Sequence, residues 1–288
     1  MTKIETLDIS TSSALTFTAD VAGPIGGPLV LLLHGFSESR HSWREALPVL
    51  AAAGYRCVAP DQRGYSPGAR PDPADLSNYA FDKLVNDALE IAAAAGYEGK
   101  RFHLVGHDWG GQVSWGVANA HPERLASLTV LSRPHPLSFR RALADPNGEQ
   151  KHRSRHHSKF LEPETGPLLV EDDARRLREG LFGQDVSKAA IDDHMAVLGN
   201  LDAIEAALAW YRSNKGLSGE FGPIKVPTLY IWGDADATVG PDAAKGTGEF
   251  VTAAYSLEVL PGVGHFVMDQ ASGRATALML EHIRKYPV

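Results

Sequence analysis

The feature that most constrains this chain is the stretch Leu104-Val105-Gly106-His107-Asp108-Trp109-Gly110-Gly111. It follows a short apolar run and precedes a helical pattern, so it reads as a tight strand-to-helix turn. Glycines stand two residues either side of Asp108. That is the spacing of a nucleophile elbow, where small neighbours let a strained backbone push one side chain into a cleft. A serine at the centre of such a turn suits attack on acyl carbon. Asp108 offers a carboxylate instead, which displaces a leaving group from saturated carbon and becomes an ester itself. In isolation the same residues would also describe an aspartate in a glycine-rich turn or at a helix N-cap, so the reading depends on the rest of the chain.

Leu29–Leu33 is a continuous apolar run, as expected of a strand buried on both faces of a parallel sheet. Further strands are expected at Ile4–Ile9, Ala14–Ala19, Tyr55–Ala59, Arg101–Val105 and Leu125–Leu131. Helical patterns run through Trp43, Leu47 and Leu50 to Gly54, from about Phe81 to Ala95, and from Gly110 to Ala120. The alternation then stops, and the segments Asp172–Phe182, Ser187–Leu198 and Ala203–Lys215 all read as helix. It resumes with a strand at 226–232, a helix near Asp242–Thr252, the strand Tyr255–Leu260 and a helix over Gln270–Tyr286. Alternating strands and helices predict the α/β class, with a mostly parallel sheet and right-handed crossovers. Residues 1–136 and 220–288 are expected to form the core, with 137–219 an inserted helical cap over the strand ends.

With 288 residues the chain can bury a sizeable core. Its formal charge of -7 argues against a nucleic-acid partner. Cys57 is the single cysteine and reads as a small apolar residue in a buried strand. Met1 to Glu5 carry no apolar signal region, and the aliphatic run Leu29–Leu33 is too short to cross a bilayer. The expectation is a soluble cytoplasmic protein without a membrane partner, with homodimer formation left open. His156 and His157 are expected to point apart on a helix with no cysteine or carboxylate spacing to complete a ligand set. Neither a metal nor a cofactor is expected.

Two further candidates follow strands of the second core segment: Asp236 in Gly233-Asp234-Ala235-Asp236, and His265 in Gly262-Val263-Gly264-His265. Parallel strands gather their C-termini on one edge, where such sheets place their sites. The order Asp108, Asp236, His265 is nucleophile, acid, histidine, the order of the α/β-hydrolase triad. From His34-Gly35 to His265 the chain resembles the α/β-hydrolase superfamily. Within it, Gly106-His107-Asp108-Trp109-Gly110 is similar to the elbow of epoxide hydrolases and haloalkane dehalogenases, both of which use an aspartate nucleophile. The resemblance implies Asp108 as nucleophile, His265 as the base that activates water, and Asp236 as its partner. It maps an oxyanion hole onto the backbone N–H groups of Phe36 and Trp109.

Pro134-His135-Pro136 and Trp210-Tyr211-Arg212-Ser213 resemble the epoxide hydrolase branch, in which a cap tyrosine hydroxyl donates to the oxirane oxygen. Matching Phe160-Leu161-Glu162-Pro163 to that branch's Phe-Gln-Glu-Pro places His156 where a second cap tyrosine would stand. A neutral imidazole N–H can donate, so a His156/Tyr211 pair is chemically workable. The competing account of Lys151–Lys159 is a solvated basic surface. Ser37 stands where the family often has proline. The resemblance thus implies cofactor-independent opening of a small epoxide by water to a vicinal diol, through an Asp108 ester.

The alternative is a haloalkane or haloacid dehalogenase with the same nucleophile, since Trp109 would also suit a halide. That family needs a second halide donor, but Phe36 follows His34-Gly35 where an asparagine would serve, and the cap's only tryptophan is Trp210. A fluoroacetate-type enzyme would need arginine where Trp109 stands. A non-catalytic receptor would be expected to lose part of the trio, and all three residues are present. His107 reads mainly as packing, and Arg63 and Tyr65 receive no role.

Overall fold

A computed structural model of the chain describes residues 3–181, 185–215 and 220–288. In chain order the first part runs β1 (Glu5–Ser10), β2 (Thr16–Ala22), β3 (Leu29–Leu33), α1 (Ala46–Ala52), β4 (Arg56–Pro60), α2 (Phe81–Ala92), β5 (Phe102–His107), α3 (Asp108–Ala120) and β6 (Leu125–Leu131). There follow α4 (Pro136–Ala144), α5 (Gln150–Arg153), α6 (His156–Lys159), α7 (Thr165–Arg176), α8 (Lys188–Leu198) and α9 (Leu201–Ser213). The chain closes with β7 (Thr228–Gly233), α10 (Pro241–Lys245), β8 (Tyr255–Leu260) and α11 (Val267–Lys285).

The strands form one sheet in the order β1-β2-β4-β3-β5-β6-β7-β8. β1 and β2 pair antiparallel with their neighbours, and every pairing from β4 to β8 is parallel. Alternation along β3 shows how the apolar run is used. Leu29, Leu31 and Leu33 join one core with Leu104, Val130 and Trp115, while Val30 and Leu32 join a second with Leu47, Met279 and Ile283. Helices therefore cover both faces, and a run with no polar alternation is the pattern this demands. Each fully buried leucine contributes roughly 1.5–3 kcal/mol. Cys57 belongs to the second core, and burial pushes its thiol up to about 12, which leaves it chemically inert.

Among the described residues between 137 and 215 there is no strand. The expected helix Asp172–Phe182 appears instead as α7, which begins earlier and is broken by non-helical residues at 171–174; Phe182 lies outside the described residues, as does the expected boundary at residue 219. Helix α4 was not among the expected helices; its start is set by Pro136 and by the His135 ring accepting the Leu137 N–H, and it buries Phe139 and Ala142 on one face. The pattern through Trp43 to Gly54 divides into a 3-10 turn, Arg40–Trp43, and α1. α9 docks onto the core where the Trp210 indole donates to the Arg63 carbonyl at 3.0 Å and the Asn214 amide to the Tyr79 carbonyl at 2.9 Å. Among the described residues no helix is long and apolar enough to cross a membrane.

At the crossing of β3, β5 and α3 the backbones approach without room for a side chain. A Cβ on Gly106 would lie 2.3 Å from the Gly110 carbonyl oxygen, and one on Gly110 would lie 2.2 Å from that of Leu33. Both obstacles are backbone, which cannot swing aside. Gly110→Ala is therefore expected to lose about 1–3 kcal/mol or more in urea melts. Gly273→Ala, in α11 with nothing within 4 Å of the added methyl, is expected to gain roughly 0.5–1 kcal/mol in the same measurement. Equal effects at the two sites would refute the steric account.

Candidate active site

Asp108 opens α3 with a left-handed φ of 45°, a conformation that costs a non-glycine residue roughly 1–3 kcal/mol. The strain sends its carboxylate back across the ends of the strands, at the positive end of the α3 dipole. Asp108 is only 7% exposed, and its Oδ1 accepts the Phe36 N–H at 3.0 Å. Ser37 is joined to Phe36 by a cis peptide bond, and the Phe36 amide still meets the carboxylate. The Trp109 amide lies in the first turn of α3, where the helix supplies no internal acceptor. Asp108 Oδ2 lies 3.7 Å from His265 Nε2, a charge contact longer than a hydrogen bond. His265 Nδ1 donates to Asp236 Oδ2 at 2.9 Å. The other oxygen of fully buried Asp236 accepts the N–H groups of Thr238 and Val239 at 2.7 and 2.9 Å. The structure thus brings Asp108, Asp236 and His265 together from the ends of β5, β7 and β8.

A second buried pair braces the first. His107 Nδ1 donates to Glu38 Oε2 at 2.5 Å, and its Nε2 donates to the His265 carbonyl at 2.8 Å. Glu38 Oε2 also accepts the Gly35 N–H at 3.1 Å. Both nitrogens of His107 face acceptors, so the ring is held as an imidazolium opposite a carboxylate. Burial alone would neutralise both groups, but the facing charges reverse it, raising His107 and lowering Glu38 to about 2. The pair ties the loop after β3 to the elbow and to the loop carrying His265. This gives His107 more than a packing role.

The ionisable groups around Asp108 are shifted in the same way. Burial opposes charge on Asp108, yet the neighbouring His265, and then Arg133 and His107, hold its carboxyl well below the usual range. Burial likewise opposes a charged His265, but Asp236 first and Asp108 next raise it to about 10. At neutral pH Asp108 is a carboxylate facing an imidazolium. Tyr211 is pushed well above 10 by burial and by the Asp108 charge, so it keeps its O–H.

Two cavities meet at Asp108 and Tyr211, which line both. The smaller, about 300 Å³, reaches His265, His156 and Phe36; the larger, about 480 Å³, reaches Trp109, Arg133 and His157. The Tyr211 ring packs edge-on against Phe36, Trp109 and Phe160 at 5.6, 5.1 and 4.9 Å. A larger void of about 1110 Å³ opens away from Asp108, beside Phe81, Asn119 and Phe221. Arg63 borders that void, paired with Asp87 at 2.6 Å, while Tyr65 is buried against His34 and Trp210.

His156 lines the smaller cavity with Asp108 and Tyr211. Its Nδ1 lies 3.1 Å from the Arg153 carbonyl, which can only accept, and burial lowers its affinity for a second proton. With Nδ1 donating to that carbonyl, Nε2 of the neutral ring is an acceptor, which sets His156 apart from Tyr211, whose O–H is a donor. The two histidines do not point apart: their rings touch edge-on at 4.4 Å, and it is His157 that lies beside Tyr211, at 5.5 Å. Among the described residues no group of three or more His, Cys, Asp or Glu is placed to hold a metal ion.

A family model for the alpha/beta hydrolase fold matches residues 28–272. The chain belongs to the α/β-hydrolase fold family. Epoxide hydrolase A of Mycobacterium tuberculosis is 31% identical over 307 residues, spanning 91% of this chain and 92% of the relative. Epoxide hydrolase 3 of Xenopus tropicalis is 30% identical over 95% of this chain and 76% of its own. An epoxide hydrolase structure of the same superfamily, from metagenomes of hot environments, superposes with a TM-score of 0.86 at 26% identity and covers 97% of this chain and 98% of that one. Within the α/β-hydrolase family this chain is epoxide hydrolase-like. Two residues around its site, Glu38 and Arg133, were given no role by the sequence, and His157, weighed there only as a metal ligand, lines the larger cavity. Glu38 and Arg133 sit shortly after strands, a signal that was present, but their partners are revealed only by tertiary contact.

Two outcomes follow. Glu38→Ala leaves the His107 charge buried and unpaired, and is expected to destabilise the protein by about 3–5 kcal/mol in denaturant melts; a loss below about 1 kcal/mol would refute the ionic description. Asp108→Asn removes one of the two charges that raise His265, so NMR titration of the imidazole should show it losing its proton at lower pH than in the wild type. An unchanged or higher titration point would contradict the coupling.

Proposed function

We propose that the protein hydrolyses epoxides to vicinal diols through a covalent ester on Asp108. The observation carrying this reading is that a carboxylate nucleophile and a protonated phenol, Asp108 and Tyr211, face the same void. Asp108 Oδ1 is engaged by the Phe36 N–H, so Oδ2 is the oxygen free to attack. It forms a bond to one oxirane carbon as that carbon's bond to the ring oxygen breaks, and the leaving alkoxide takes the Tyr211 proton. An alkoxide is a poor leaving group unless protonated, and such a donor supplies about 10²–10⁴-fold. Esterification erases the Asp108 charge that helped to raise His265. The imidazolium then gives up a proton, restoring the one Tyr211 donated, and becomes a base. Neutral His265 takes a proton from water, hydroxide adds to the ester carbonyl, and the Phe36 and Trp109 amides receive the oxyanion. Collapse releases the diol and restores the Asp108 carboxylate. The helical segment from α4 to α9 acts in this reading as a cap, excluding solvent and carrying Tyr211.

A halide leaves without taking a proton, so in the dehalogenase alternative the Tyr211 O–H would serve only as a hydrogen-bond donor to the halide, whereas an epoxide oxygen needs its proton. Mass spectrometry of intact His265→Gln after exposure to a panel of epoxides and haloalkanes separates the two. A gain of one whole epoxide mapped to Asp108 is expected; an alkyl gain with free halide would hand the function to the alternative. Tyr211→Phe should slow ester formation by about 100-fold or more, and His156→Phe by less than tenfold. A reversed ranking would restore His156 as the donor.

A further inference from the structure

We propose that the substrate carries a carboxylate, bound by Arg133 in the larger cavity beside Asp108; this deepens the epoxide reading and rests on it. Arg133 follows β6 and is 5% exposed. Its Nε donates to Gln112 Oε1 at 3.0 Å, its guanidinium lies 4.6 Å from the centre of the Phe139 ring, and its carbonyl is pinned by the Trp115 indole at 2.9 Å. Among the described residues no carboxylate lies within ion-pair distance of it, and its two Nη atoms have no acceptor. Arg63, buried to a similar degree, shows the usual solution: a two-point pair with Asp87 at 2.6 and 2.7 Å. Charges this buried are normally paired, and Arg133 instead turns its free edge to a void.

The rest of that void has the matching character. Lys151, Arg155 and Lys215 also line it, and among its described lining Asp108 is the only carboxylate, on a chain whose formal charge is -7. Leu143 and Leu161 add apolar wall. A planar guanidinium fork is suited to two-point contact with a carboxylate. Asp108 balances part of the Arg133 charge from a distance, and that balance disappears once Asp108 is esterified. A substrate carboxylate would keep the guanidinium partnered through the ester stage, while the oxirane, joined to it by a short apolar linker, meets Asp108 and Tyr211. The competing account makes Arg133 only a fixed positive charge that keeps Asp108 ionised.

The test is calorimetric binding of hexanoate and hexanamide, unreactive and of matched shape, to the wild type, Arg133→Lys and Arg133→Met. Hexanoate is expected to bind the wild type about tenfold or more tightly than the amide, with the preference reduced in Arg133→Lys and lost in Arg133→Met. Equal binding by the wild type, which needs no variant to fold, would overturn the proposal. So would a preference that survives Arg133→Met. Turnover of an epoxyalkanoic acid and its amide by the wild type reads the two proposals apart. If both react equally, the carboxylate site falls and epoxide hydrolysis stands. If neither reacts while hexanoate remains preferred, epoxide hydrolysis falls and the carboxylate site stands.

Discussion

The structure depends on a backbone crossing with no room for side chains. At Gly106 and Gly110 the strand, the helix and the neighbouring strand approach so closely that a methyl group would enter a carbonyl oxygen. The residue between them is left in a left-handed conformation, with its carboxylate aimed over the sheet edge. That geometry is expensive, and the surrounding contacts are what hold it. The Phe36 amide grips one oxygen, and the Glu38–His107 ion pair fastens the elbow to both flanking loops. Removing water from two charges is repaid only as far as their remaining hydrogen-bond capacity is met; His107 meets it through the His265 carbonyl, whereas Glu38 Oε1 stays buried with no partner among the described residues.

The same compactness sets the electrostatics. Three ionisable side chains, Asp108, His265 and Asp236, lie in line with little solvent between them, so the charges of Asp108 and His265 are set by their neighbours. In the resting protein this keeps Asp108 charged, as the proposed attack requires. It also keeps His265 protonated, which is wrong for a base. The proposed ester resolves the conflict, because the first step removes the charge that kept the proton on His265. One histidine can then support a nucleophile in one step and activate water in the next, with no change in its contact to Asp236.

What was legible in the sequence follows from how local each signal is. β3, β6 and β8 were read at their observed bounds, because β3 is an unbroken apolar run of strand length and β6 and β8 alternate apolar residues with Ser127 and Thr129, or with Ser256 and Glu258. Asp108, Asp236 and His265 were legible because each follows a strand and parallel strands end on one edge. Arg133 follows β6 in the same way, but an arginine there is remarkable only when nothing pairs with it, which is a fact of three dimensions. His156 was placed by a motif, and a motif gives a position without the hydrogen bond that fixes a tautomer. α4 was missed because its apolar stripe is short and interrupted by Arg140 and Arg141, and because its start rests on His135 and Pro136.

The central claim is that Asp108 itself becomes covalently bound, and oxygen labelling in a single turnover tests it most directly. Excess wild-type protein is mixed with an epoxide in ¹⁸O-water, and both the diol and the peptide containing Asp108 are weighed. The account predicts an unlabelled diol, whose new oxygen came from the carboxylate, and an Asp108 peptide heavier by one ¹⁸O. Label in the diol with none in the peptide would mean that water attacked the epoxide directly, and would contradict the account.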